Sequence, residues 1–347
     1  MSLVFFTACS EPEELFVREY RWVMDTQISV YVFYHDRDTA ANERYHRAIA
    51  SEAADMAYMF DRLFDRFTEG TDIWRINHAG GEYVEVDDHV IQALQYALYF
   101  RELTNGRFDP TIGAVMDLWD FGFYNEALLP SQADIDRALE TVGTNIYIDG
   151  NRVRLGHPEA RIDLGGIAKG YAADYVADFL RSRGVVGIAN FQGDIALVGI
   201  RPSGNRWGVG VSDPLYPGPG FPPYVLSVHM YGETAVVTSG TTARGFITEG
   251  RRFHHIMDPE TGWPIHSPWA SITVITDNAL WGEALTTAVY TMHENELMEL
   301  FWQLQDRLDV FEFIGIDESG EILSTSGVSA TFENMDDPDV IVPIFLN

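Results

Sequence analysis

The 347-residue sequence predicts an α+β fold, with mixed sheets and packed helices, on three observations. Hydrophobic residues make up 46% of it and aromatic residues 13%, enough for a substantial core and against global disorder. Strand and helix patterns come in blocks without strict βαβ alternation, which disfavours a doubly wound parallel sheet. The glycines never form GxGxxG, so a Rossmann dinucleotide site is unsupported. No internal repeat is visible, and residues 1–18 read as an N-terminal segment ahead of a single domain over 19–347.

Residues 20–34, YRWVMDTQISVYVFY, alternate as a strand pair or a bent strand should. A helix follows from about Ala41 to Phe67, where Ile49, Ala53, Met56, Phe60, Leu63, Phe64 and Phe67 keep helical spacing. A second helix spans Asp88 to Thr104 and stops at the turn pair Asn105-Gly106. Beyond a loop bounded by Pro130, a short helix and two short strands lead to Arg161. Ile167 to Arg183 places Ala168, Tyr171, Tyr175, Val176, Phe179 and Leu180 on one helix face before Gly184 stops it. Strands dominate from Gly187 to about Thr276, interrupted by the Pro/Gly-rich surface loop Pro214–Pro223. Asp277 or Asn278 caps a further helix through Met292, and one more helix and two strands close the chain.

The formal net charge is −29, with acidic residues dispersed as on a solvated surface. There is no basic stripe to neutralise a phosphate backbone, so no nucleic-acid partner is expected. A phosphate-bearing ligand would need a local cation, either a metal or a particular side chain. One cysteine, Cys9, excludes an internal disulfide and a thiolate metal cluster. It follows the apolar run Leu3–Ala8 and precedes an acidic stretch, and this resembles the end of a bacterial lipoprotein signal. No Lys or Arg precedes the run, and Phe6 replaces the leucine usual there. The expectation is a lipid anchor at Cys9 and an extracytoplasmic, membrane-anchored location; the alternative is an ordinary buried strand. No later segment holds about 20 uninterrupted apolar residues.

Of the 23 basic residues, Lys169 is the only lysine, and every other one is arginine. Lys is a compact charge on a thin stem that a tight pocket can desolvate, which the guanidinium fork of Arg cannot match. It lies in RIDLGGIAKGYAAD, with Asp163 at a strand end, Gly165-Gly166 as a tight turn and Lys169 opening a helix. A helix N-terminus offers unpaired N–H groups and a field that favours anions. In WGEALTTA, Glu283, Thr286 and Thr287 are spaced i, i+3, i+4 on one helix face. One carboxylate with two hydroxyls is hard-oxygen chemistry suited to Mg²⁺ rather than Zn²⁺. In RFHHIMDPETGWPI, a forced turn projects His254, Met257 or Asp258 from a strand end. In NGRFDPTIGAVMDLWDFG, Asp109-Pro110 opens a loop where Phe108 could meet a flat ring or simply pack the core.

These stretches in this order resemble the FAD:protein FMN transferase family, the ApbE-type flavin transferases. The resemblance runs from Met24-Asp25-Thr26 through Asn77, FDPTIG, DLGGIAKGYAAD, FQGD (Phe191–Asp194), VVTSG (Val236–Gly240) and HHIMDPETG to SITVI and GEALTTA. It implies an α+β body with a flavin cleft, and transfer of FMN from FAD to a threonine of an acceptor protein with Mg²⁺ and release of AMP. The acceptor class it implies is a subunit of a membrane redox complex. By motif position, Met24, Phe67, Arg107, Phe108, Asp109, Asp163, Lys169 and Met257 would line the FAD site. Gly166, through its carbonyl, would hold the metal with Glu283, Thr286 and Thr287; His255 matches the family histidine of H-x-x-D-P. Glu283, His255 and Thr287 are the implied catalytic residues.

Four positions depart from the family pattern: Glu283 stands where Asp is usual, Asp25 replaces a glycine, Gln192 interrupts a Gly-Gly pair, and Thr242 sits where an aromatic often follows TSG. Two other functions use the same features. An FAD pyrophosphatase would release FMN and AMP with water in place of threonine. A non-catalytic flavin-binding surface lipoprotein would bind FAD independently of metal.

Overall fold

A computed structural model describes residues 14–35, 39–119, 121, 129–216, 223–241, 245–248, 251–304 and 306–332 of the chain. Strands β1 (Glu14–Val23) and β2 (Thr26–His35) pair antiparallel, and only Met24 and Asp25 connect them. Both turn residues have positive φ, 52° and 55°. That is the requirement of a type I′ hairpin, whose twist matches the strands. Helix α1 (Thr39–Phe64) ends three residues short of the expected Phe67. There Asp65 Oδ1 accepts from the Phe67 and Thr68 N–H groups at 2.7 and 3.2 Å and turns the chain.

Helix α2 (Asp72–His78) and the two-residue strand β3 (Val84–Glu85) lead to α3 (Asp88–Leu103). Asp87 caps α3, and Asn105 and Gly106 end it at φ 50° and 82°. Helices α4 (Gly113–Trp119) and α5 (Gln132–Leu139) and the hairpin β4 (Ile146–Asp149), β5 (Arg152–Leu155) then reach α6 (Ala168–Ser182). A run of strands follows: β6 (Val186–Phe191), β7 (Asp194–Val198), β8 (Trp207–Ser212), β9 (Tyr224–Met230), β10 (Ala235–Gly240), β11 (Gly245–Thr248), β12 (Arg251–His254) and β13 (Trp269–Thr276). Helices α7 (Ala279–Thr291) and α8 (Glu294–Leu304) and strands β14 (Phe311–Asp317), β15 (Ile322–Ser324) and β16 (Ala330–Phe332) complete the described chain. The sequence anticipates α1, α3, α6 and α7 closely. It misses α2, α4 and β3, which are too short to show a period, and expects two closing strands where three occur.

The main sheet has eight strands in the order β1-β2-β6-β7-β10-β13-β14-β15, every neighbouring pair antiparallel. Successive side chains on a strand face opposite ways, so each strand serves two cores. Val237 and Val274 join the core built with α1, α6 and α7, whereas Val236 and Ile275 pack with Trp207, Val211 and Val228 of the small sheet β16-β9-β8. The result is three layers, helices over sheet over sheet, in line with the α+β expectation. A third cluster, Trp119, Ile135, Phe253 and Met257, joins α4, α5 and the β11-β12 hairpin.

Glycine sets the approach of α7 to its neighbours. A Cβ on Gly170 would lie 2.5 Å from the Ala279 carbonyl oxygen, and one on Gly282 would lie 2.5 Å from a Val237 methyl. Any larger residue would push α7 away from α6 or from β10. Asp174 of α6 fixes the same crossing by accepting from the Ala279 and Leu280 N–H groups at 2.7 and 2.9 Å. Asn278 accepts from Trp281 N–H at 3.0 Å and is the cap. Asp277 instead holds the Asp309 and Val310 N–H groups. The Cys9 segment and most of the Pro214–Pro223 loop lie outside the described residues, as does Thr242. No described helix is long and apolar enough to cross a membrane.

Candidate active site at the corner of α6, β7 and α7

The chain turns into α6 on a short-range device. Asp163 Oδ1 accepts from Gly165 N–H at 2.6 Å, and the Leu164 carbonyl takes the Ile167 and Ala168 N–H groups at 2.9 Å. Gly166 is required at this turn, because a Cβ there would meet Phe108 at 2.9 Å and Thr287 Oγ1 at 3.3 Å. Asp163 also pairs with Arg66, Oδ2 to Nε at 3.1 Å. Arg66 in turn lies 4.4 Å over the ring of Phe67.

Lys169 occupies the first turn of α6, where the helix field disfavours a cation. Two carboxylates offset that cost: Lys169 Nζ pairs with Asp194 Oδ2 at the start of β7, and it lies 2.9 Å from Glu283 Oε1 on α7. The Asp194 and Glu283 side chains retain 2% and 3% of their surface, while the Lys169 side chain keeps 31%. Glu283 Oε2 accepts from Gly170 N–H at 2.7 Å. Its Oε1 is buried and has no directed hydrogen bond, although the lysine charge lies close. Burial, together with the neighbouring Glu283 carboxylate, pushes Asp194 up to about 8 against the opposing pull of Lys169. The same two carboxylates hold the Lys169 ammonium above its usual value despite desolvation.

The adjacent threonines of α7 differ. Thr286 is fully buried; its hydroxyl donates to the Glu283 carbonyl at 3.0 Å and accepts from Ser239 Oγ of β10 at 2.8 Å. Thr287 is half-buried, faces Gly166 and makes no hydrogen bond to a described residue. A single shared face therefore does not describe them. At 100° per residue, i+3 falls 60° to one side of Glu283 and i+4 falls 40° to the other, toward the sheet and toward the glycine turn respectively. Thr286 is committed to structure, and the pair Glu283 and Thr287 remains beside Gly166.

Mg²⁺ fits this donor set. The site offers one buried carboxylate oxygen with a spare acceptor site, one unengaged hydroxyl and a glycine that leaves room beside that hydroxyl, all hard oxygen chemistry. Among the described residues no group of three or more His, Cys, Asp or Glu could hold a metal.

The other expected residues differ in how they relate to this corner. Phe108 is buried against Gly166. Arg107 donates to Glu296 Oε1 at 2.9 and 3.0 Å and lies 3.2 Å from Glu260 and 3.9 Å from Asp258. Thr291 of α7 donates to the Arg107 carbonyl at 3.0 Å, tying this loop to the helix of Glu283. Asp109 is not open to a ligand: it accepts from Thr111 N–H and Oγ1 and pairs with Arg101 at 3.1 Å, closing its own turn. Met257 is buried in the Trp119 cluster. Asp258 accepts from Glu260 N–H at 3.0 Å and Thr261 Oγ1 at 2.9 Å, and His254 Nε2 lies 3.0 Å from the Ile265 carbonyl, so both are turn-building groups. His255 is half-buried, and Phe67 is 70% exposed. Met24 N–H donates to Asp61 Oδ1 at 2.7 Å, which pins the β1-β2 turn to α1.

Sequence reasoning missed Asp194 as a site residue, although it closes the FQGD stretch. Its signal is positional: a carboxylate at the first residue of an otherwise apolar strand, DIALV, directly after a two-residue turn. Ser239 in VVTSG is the second omission.

A sole lysine between two buried carboxyl groups, beside a glycine turn at a helix N-terminus, gathers interacting charges at one corner as enzyme sites do. The chain belongs to the ApbE family, whose family model matches residues 24–311. Among its curated relatives is an FAD:protein FMN transferase of Klebsiella pneumoniae, 32% identical over 71% of this chain and 76% of that protein. The structure resembles the crystal structure of the ApbE protein of Thermotoga maritima, with a TM-score of 0.76, 29% identity and coverage of 89% of this chain and 96% of that one. It also shares the fold of the flavin transferase ApbE of Vibrio cholerae, at TM-score 0.74, 22% identity and coverage of 92% and 97%.

Proposed function

We propose that the protein transfers the FMN moiety of FAD to a threonine hydroxyl of an acceptor protein, releasing AMP. The observation that carries this reading is the corner of Lys169, Asp194, Glu283 and Thr287 around Gly166, in a member of the ApbE family that is 32% identical to an FAD:protein FMN transferase. A divalent cation, Mg²⁺, held by Glu283, Thr287 and the Gly166 carbonyl, would neutralise charge that develops toward AMP.

The chain's own groups supply the rest. Lys169, the least buried side chain of its trio, meets the pyrophosphate as a point charge and is no nucleophile, because it is held as an ammonium. Phe108 and Gly166 shape the wall beside it, while Arg107, Met257 and Asp163 frame the flavin side. The acceptor threonine oxygen forms a bond to the flavin-side phosphorus, the bond to the bridging oxygen breaks, and AMP leaves with that electron pair. His255 takes the hydroxyl proton. Thr286 positions Glu283 and is not a ligand. The acceptor class is a subunit of a membrane redox complex, with this protein lipid-anchored at Cys9 on the extracytoplasmic side. Metabolic labelling of the native precursor with a fatty acid checks the anchor.

The test of the activity mixes protein, FAD, Mg²⁺ and a threonine-bearing acceptor peptide. Covalent flavin on the peptide and stoichiometric AMP are expected. Free FMN without acceptor would replace the reading with FAD hydrolysis. Bound FAD with no AMP in the presence of metal would leave a flavin-binding protein only.

A further inference from the structure

We propose that Lys169 is the counter-ion that stands in for the divalent cation at Glu283, so that the lysine holds the carboxylate pair together without metal and sets metal affinity by competing for one oxygen. This rests on the reading of Glu283 as the metal carboxylate.

Four observations carry it. First, Lys169 binds its two partners unequally: with Asp194 it makes a directed hydrogen bond, whereas Glu283 Oε1, 2.9 Å away, is reached by charge without hydrogen-bond direction. Second, Glu283 is already anchored through its other oxygen, which accepts from Gly170 N–H at 2.7 Å. A cation can therefore take Oε1 and leave both the Lys169–Asp194 pair and the Gly170 bond intact. Third, the lysine lies between two almost entirely buried carboxyl groups. Without it they would face each other uncompensated, a repulsion that a proton or another cation would have to relieve. Fourth, the competing charge sits in a helix first turn whose field already disfavours it. The lysine is thus held by Asp194 and is only on loan to Glu283.

The exchange has a consequence for order of assembly. Metal arrival adds two positive units beside Glu283 while Lys169 keeps its pair with Asp194. An anionic pyrophosphate is attracted more strongly to the metal-loaded corner than to the metal-free one.

The experiment uses the full chain stripped of metal, without FAD, titrated with Mn²⁺ while free Mn²⁺ is followed by electron paramagnetic resonance. Lys169→Met, which keeps the stem and removes the charge, is expected to bind Mn²⁺ on the order of 10-fold tighter than the parent, the scale on which neighbours of metal ligands tune affinity. Asp194→Asn, which leaves the lysine to Glu283 alone, is expected to bind more weakly. Glu283→Gln is expected to lose binding. In the unsubstituted protein carrying nitrogen-15 lysine, the single side-chain ammonium resonance is expected to shift when diamagnetic Mg²⁺ is added, a readout that needs no variant to fold. Equal or weaker binding in a folded Lys169→Met, or an unmoved ammonium signal with Mg²⁺ bound, overturns the counter-ion role and leaves the Glu283 ligand reading standing. Unchanged Mn²⁺ binding in Glu283→Gln overturns both.

Discussion

Two polar regions of the molecule treat their charges in opposite ways. In the loop His254–Gly262 and its neighbour Asn105–Asp109, the short polar side chains largely satisfy local backbone: Asp258 closes on Glu260 and Thr261, Asp109 on Thr111 and Arg101, His254 on the Ile265 carbonyl. At the corner of α6, β7 and α7 the partners come from three separate elements, two carboxyl groups share one lysine, and a buried oxygen of Glu283 lacks a directed bond. Local closure gives shape and consumes hydrogen-bonding capacity. Long-range assembly leaves capacity unspent, and unspent capacity in a buried place is what a metal or a phosphate can use.

Glu283→Gln should widen this contrast most. The amide can still accept from Gly170 N–H, so the fold should persist while FAD turnover with metal falls on the order of 100-fold or more. AMP release beside a thermal melt decides it; equal turnover would move the chemistry elsewhere. Next come the paired substitutions on α7. Thr287→Val should weaken metal binding about 10-fold with little change in melting. Thr286→Val should keep metal affinity and lose about 1 kcal/mol of stability, because Ser239 is left without its acceptor. A reversal of the two would refute the division of labour assigned to these neighbours.

Asp258→Ala tests the locally closed region. Loss of both turn bonds should cost about 1–2 kcal/mol in denaturant unfolding, with turnover at saturating FAD changing far less than in Glu283→Gln. Asp174 offers a pH test of the α6–α7 crossing. Burial raises its carboxyl from the ordinary 3.8 to about 7 in spite of the two backbone N–H bonds it accepts. Between pH 4 and 7 the folded chain therefore holds a proton that the unfolded chain has released, and this group makes stability fall as pH rises through that window. In Asp174→Asn that part of the slope should vanish; an unchanged slope assigns it to other groups. The smallest effect is expected at Gln192, held at φ 48° in the two-residue turn that delivers Asp194. Gln192→Gly should stabilise by less than about 1 kcal/mol, since relief of left-handed strain is partly offset by a freer unfolded chain. A loss of stability there would show that the glutamine side chain contributes more than its backbone costs.

Much of the architecture was legible because it is periodic. Alternation exposed the β1-β2 pair, and heptad-like spacing exposed α1, α3, α6 and α7 within a few residues of their observed ends. Lys169 was legible for a different reason, its uniqueness among arginines, and Glu283 through the motif around it. Asp194 was not, since its role depends on a contact 25 residues away to Lys169, set by the turn at Gln192 and Gly193 and by the glycine-paved crossing of α6 and α7. Spacing alone put Thr286 and Thr287 on one face. Only the sheet on one side and the glycine turn on the other separate them, and neither is encoded within the helix. Asp109 is the converse case, a residue in a ligand-like motif whose oxygens bind within its own turn and to Arg101.

The solitary lysine also gives the molecule one bond that a lysine-specific protease can cut, Lys169–Gly170, inside the first turn of α6. Such a protease needs the lysine out of its carboxylate clamp and several residues of backbone extended, so cleavage of the native protein must wait for this corner to open. When opening and closing are fast beside cleavage, the rate of appearance of two fragments measures the free energy of that opening alone. Evolution's choice of arginine everywhere else has thus left a built-in gauge for the local stability of this corner, readable on a gel without a label or a substitution.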